Sequence, residues 1–266
     1  MQRPRPTFPA WRLVMALLLL LVFADAASAQ AASPPPASPL PVTLNIGFKG
    51  ADGTGGAPDV DVAIQILFAI TLLSLAPSII LLMTSFMRIA IVLSFVRSAL
   101  SLQSTPANQV IIGLSLFLTL FIMAPTWERI DAEALTPYRA KQITSTEALD
   151  RASAPVRAFM LKQARPKDVE LFVGLAKLGP TSPENLPLKV VIPGFIVSEL
   201  RTSFQMGFLL FIPFILIDLV VATVLMSMGM MMMPPVTVSM PLKILLFVLV
   251  DGWNLVVRSI VLSFGG

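Results

Sequence analysis

Two groups of residues in this sequence have types and spacing that suggest chemistry. The first is a pair of carboxylates, Asp218 and Asp251, each set in an apolar run as IDLV and VDGW. Two such groups on neighbouring helices raise the idea of an intramembrane aspartyl protease, in which paired carboxylates share a proton. The contexts lack the GxGD setting of those enzymes, and that reading is set aside. The second group is MSMGMMMMPP, Met226 to Pro235, with six thioethers and a glycine before two prolines. Thioethers are soft metal ligands, but the chain has no Cys and no His to complete a site with them. The same absences remove thiol nucleophiles, disulfides and the commonest general base, and no GxSxG or HExxH appears. The sequence offers no catalytic residue, cofactor site or metal site, and the chain reads as a non-enzyme.

The elements that position these residues belong to a membrane protein. Of 266 residues, 56% are hydrophobic and 13% charged, where soluble domains carry roughly 25% charge. The net charge is only +4, and Lys and Arg form no run alternating with aromatics, which excludes a nucleic-acid partner.

The amino end has the form of a signal peptide over residues 1–29. Arg3, Arg5 and Arg12 precede an apolar run from Leu13 to Phe23, and Ala27-Ser28-Ala29 makes a small-residue cleavage site. Residues 30–58 are rich in Pro, Ala, Ser and Gly and read as a disordered periplasmic linker. Residues 59–127 contain three apolar runs and read as a first hydrophobic hairpin, with Arg88 and Arg97 near its cytoplasmic turn. Residues 128–189 hold about half of the chain's charges and read as a periplasmic polar helical domain. There Val156, Phe159 and Met160, then Val169, Phe172, Val173 and Ala176, recur at helical spacing. Their narrow apolar faces pack on each other or on a neighbouring subunit. Residues 190–266 read as a second hydrophobic hairpin with the Met-rich stretch as its loop. The expected fold is an all-α membrane protein, two long helical hairpins flanking a small helical extracytoplasmic domain.

Charges inside apolar runs need partners, because one at the centre of a lipid-exposed helix costs roughly 2.5–3.5 kcal/mol. Asp218 and Lys243 lie at similar distances from the turn near Met231, which sets them side by side as an ion pair. The alternative is that Lys243 snorkels to the interface. On PGFIVSELRTSFQMGF, Ser198, Arg201, Thr202 and Gln205 form one polar stripe, with Glu199 beside it. Such a stripe faces protein or water, and together these residues suit subunit contacts better than lipid.

Two long blocks, Thr84 to Trp127 and Pro193 to Trp253, resemble the FliP family, membrane subunits of the type III export gate. The resemblance implies a pore-forming subunit of the flagellar gate in the bacterial inner membrane, at the basal body. It implies five copies assembled with FliQ and FliR, substrates delivered by FlhA and FlhB, and passage of unfolded flagellar proteins. The leader favours the flagellar over the injectisome branch. A small-solute secondary transporter or ion channel is the alternative, but Phe211, Ile212, Phe214 and Ile215 around Pro213 offer no coordinating groups. The resemblance also places a methionine gasket at Met226, Met228, Met230, Met231, Met232 and Met233. Flexible thioethers repack at little cost and make an apolar constriction that closes by dewetting. The residues alone also allow a plain hydrophobic turn.

Overall fold

The computed structural model describes residues 60–102, 105–179, 182, 185–230 and 232–265. The expected signal peptide and linker lie outside them. The described chain is helical throughout, as its apolar runs and membrane character require. A boundary after Ser78 divides it into two compact units. Helix α1, Val60–Leu82, is apolar on every side, and its residues up to Ser78 are the described part of the first unit.

The second unit contains α2 (Phe86–Ala99), α3 (Asn108–Ile130), α4 (Thr136–Arg139), α5 (Ser145–Gln163), α6 (Pro166–Leu175), α7 (Leu188–Ser227), α8 (Pro235–Leu249) and α9 (Gly252–Leu262). A π-turn, Asp131–Leu135, joins α3 to α4, so the helical path continues from Asn108 to Arg139. The step from apolar to polar sequence near residue 128 therefore falls inside a helix. Among the described residues three helices are long and apolar enough to cross a membrane, Ile64–Leu82, Asn108–Arg139 and Leu188–Ser227. The pair α8 and α9 would make a fourth span, bent by 66°.

Two cores hold the second unit together. In the first, Ile89, Val92, Leu93 and Val96 recur at three and four along α2 and meet Ile111 and Leu118 of α3, Phe214 of α7, Phe247 of α8, and Val256 and Ile260 of α9. Close approach of α7 to α2 depends on Gly207, where a Cβ would stand 2.6 Å from the Phe95 ring. In the second core, Met160, Ala164 and Val169 close on Leu186, Val191 and Phe195. The apolar faces of α5 and α6 are thus spent on the chain's own α7. Phe159 extends this packing, edge-on to Phe195 and stacked on Phe264 at 6.4 Å. Burying a side chain the size of Phe195 stabilises by about 1.5–3 kcal/mol. Thr144 caps α5 by accepting from the Glu147 amide, and Glu147 pairs with Arg151 one turn on at 2.6 Å.

Candidate functional site

The buried base of α7 is organised around Arg88. Its Nε donates to Glu199 Oε2 at 2.8 Å and a second guanidinium nitrogen donates to Glu199 Oε1, a forked pair. A third nitrogen donates to the Ser263 carbonyl at 3.1 Å and its hydroxyl at 3.0 Å, and the guanidinium lies 3.9 Å over the Phe264 ring. Gln163 Nε2 donates to the Phe264 carbonyl at 3.1 Å. One arginine thereby ties α2, α5, α7 and the residues after α9 together. Arg88 is buried, and its charge is neutralised in the interior by Glu199, itself fully buried. Arg97, at the end of α2, bonds to Asn108 at the start of α3. The Arg88 centre escaped the sequence reading because its partners are 75 to 175 residues away. The available signal was an arginine and a glutamate of opposite charge, each within an apolar run.

The polar stripe divides. Ser198 and Glu199 are buried within the chain, so they cannot be contact residues for another subunit. Ser198 Oγ accepts from the Arg165 amide at 2.8 Å, and the Arg165 guanidinium donates to Gln205 Oε1. Arg201 stands 3.7 Å from Asp168 at the start of α6. Gly194 allows this docking, since a Cβ there would lie 3.1 Å from the Val169 Cα. The stripe therefore seats the α5–α6 junction on α7. Thr202 is half-buried, while Arg201 and Gln205 keep exposed surface.

Further along α7, Asp218 meets α8. Lys243 Nζ donates to Asp218 Oδ2 at 2.6 Å and to Ser101 Oγ at 2.9 Å, and Ser239 Oγ donates to Asp218 Oδ1 at 2.5 Å. The ammonium is buried and the carboxylate is 34% exposed. Ser101 sits in the left-handed region at φ 60, just past the end of α2. Neither serine was singled out from the sequence. Asp218 is committed to this pair, whereas Asp251 is exposed at the bend between α8 and α9.

The hairpin α7–α8 ends in the methionines. Gly229, at φ 76, is the left-handed residue of a helix stop: its amide donates to the Met226 carbonyl at 3.1 Å and the Met230 amide to the Leu225 carbonyl at 3.0 Å. Pro235 opens α8 at its first turn, where a missing N–H costs nothing. Met226, Met228, Met230, Met232 and Met233 are all exposed, Met232 completely. Met231 lies outside the described residues.

Interior ion pairs, long apolar helices and an exposed thioether tip define an all-α membrane protein with a large uncovered apolar surface. The family model described as the FliP family matches residues 69–260. Flagellar biosynthetic protein FliP of Bacillus subtilis is 55% identical over 77% of this chain and 94% of its own. The proteins of that name in Pectobacterium carotovorum and Caulobacter vibrioides are 49% and 50% identical, each over 79% of this chain, covering 81% and 79% of theirs. The chain belongs to the FliP family.

Proposed function

We propose that this component of the flagellar type III export gate is a pore-forming subunit that passes unfolded flagellar proteins across the bacterial inner membrane at the basal body. Several copies, five by family resemblance, enclose the conduit together with FliQ and FliR, and FlhA and FlhB deliver the substrates. The polar segment of residues 128–189 lies on the periplasmic side, behind a cleaved leader and a linker. No step of the proposed function requires bond chemistry from this chain.

The observation that carries the reading is the methionine tip. A backbone stop at Gly229 and a proline start at Pro235 hold the loop's ends, yet its five described methionines all keep a large part of their surface exposed. Burying a Met side chain stabilises by about 1.5–3 kcal/mol, so tips from several copies gain by converging. Converged, they form an apolar collar that excludes ions yet repacks around a threaded chain of any sequence.

Replacing Met230, Met232 and Met233 by Ala tests it. The expected result is a membrane leaky to ions with export retained, read by ion-flux and secretion assays on the same cells. An ion-tight membrane with the assembly intact would sink the proposal.

A further inference from the structure

Between Val190 and Gly265 the charged residues are Glu199, Arg201, Asp218, Lys243, Asp251 and Arg258. The first four pair inside the chain, with Arg88, Asp168 and each other. The side chains of Asp251 and Arg258 are exposed and have no polar partner among the described residues. An unmatched charge among apolar side chains is costly and marks a contact made elsewhere.

The two residues sit at different places on α9: Asp251 stands just before its start, while Leu255, Arg258 and Leu262 follow at spacings of three and four along one face, and both leucines are more than half exposed. Val256 and Ile260, on the other side, are buried in the chain's own core. Asp251 occupies the position before α9 in a left-handed conformation, φ 50 and ψ 52, and forms no capping bond. Its carboxylate therefore remains available. The two opposite charges lie about 10 Å apart along the helix at 1.5 Å per residue, and they are not bonded to each other.

We propose that Asp251 of one copy pairs with Arg258 of the next, so that successive α9 helices run head to tail around the assembly. An anionic lipid headgroup would satisfy Arg258 and leave Asp251 bare. A second copy satisfies both charges with the residues at hand and covers Leu255 and Leu262. Because the pairing joins two different patches, it repeats from copy to copy rather than stopping at a dimer, and it makes a ring where the rotation between copies closes. The 66° bend sets α9 across the direction of α8. The inference rests on the multi-copy reading above and adds the contact that orders the copies.

The chain contains no cysteine, which gives a clean background for cross-linking in membranes carrying the full complex. With a short bis-maleimide, the Asp251→Cys/Arg258→Cys variant is expected to give a ladder of linked products up to the full ring, and each single variant only monomer. A ladder ending at dimer would indicate a two-fold contact and overturn the proposal. So would linkage to another protein, or no linkage in a complex whose native mass shows several copies. An unsubstituted chain present as one copy in the native complex would instead remove the multi-copy reading itself. As a second measure, Asp251→Lys or Arg258→Glu alone should lower recovery of assembled complex about tenfold, and the two together should restore it to within about twofold. A double variant no better than the singles counts against the pairing.

Discussion

The two ends of α7 differ in how far they are finished within one chain. At its base, Val190, Val191, Phe195, Ser198 and Glu199 are buried, and Ser198 and Glu199 have hydrogen-bond partners in other segments. Toward the tip, Phe208, Leu209, Leu216, Leu219 and Val220 are exposed, and so are the described methionines beyond them. One continuous 40-residue helix thus carries a completed interior and an unsatisfied surface. The lesson is a division of labour: the base is what makes the subunit fold, and the outer half presents apolar surface that a membrane or other subunits must cover. The Asp218–Lys243 pair lies between these extremes, with a buried cation and a partly open carboxylate.

Substitutions at the base should break the comparison most severely. Arg88→Ala leaves the Glu199 carboxylate buried without its forked partner, and removing one member of a buried pair costs about 3–5 kcal/mol. That is a large part of a typical folding stability of about 5–15 kcal/mol. The expected outcome is little folded chain after detergent extraction, measured by thermal unfolding. A variant melting within a few degrees of the unsubstituted chain would place Arg88 outside the fold's foundation.

Midway along the helix, Asp218→Asn leaves the buried Lys243 ammonium with Ser101 as its remaining partner. A cost of about 2 kcal/mol is expected, since one charge loses its counter-ion in a partly dry site. Asp218→Lys with Lys243→Asp should recover more stability than either single reversal. If the exchange does no better than the singles, the pair does not act as a unit.

The smallest effect belongs to the exposed seam between the stripe and α6. Arg201→Ala removes a 3.7 Å contact to Asp168 with the arginine largely in solvent, and such pairs contribute about 0–1 kcal/mol. Its melting point should barely move. A loss as large as that of Arg88→Ala would mean that the stripe, and not the Arg88 centre, anchors α5 and α6. Methionine substitutions at the tip sharpen the contrast from the other side, because they should change ion tightness while leaving the melting of the subunit unaltered.

Much was legible in the sequence because its causes are local. An all-helical membrane chain follows from long apolar runs with few charges. The tip follows from Gly229, which alone among the loop residues lacks the Cβ that penalises positive φ, and from two prolines that open a helix. The juxtaposition of Asp218 and Lys243 needs only equal spacing about one turn. Periodicity likewise shows that Ser198, Arg201, Thr202 and Gln205 share a side of α7. It does not show what that side meets, and the answer here is the chain's own α5–α6 junction. The Arg88 centre was out of reach for the same reason, since Arg88, Gln163, Glu199 and Ser263 come together only when four separate segments pack. The 66° bend that redirects α9 is also a tertiary choice, made where Phe247 covers Gly252 so closely that a Cβ would lie 2.3 Å from its ring. Helical period and turn chemistry act over a few residues, so the sequence determined which elements exist and where charge interrupts them. Partner choice between distant charges is decided by the packing energy of the whole unit, which only the tertiary structure expresses.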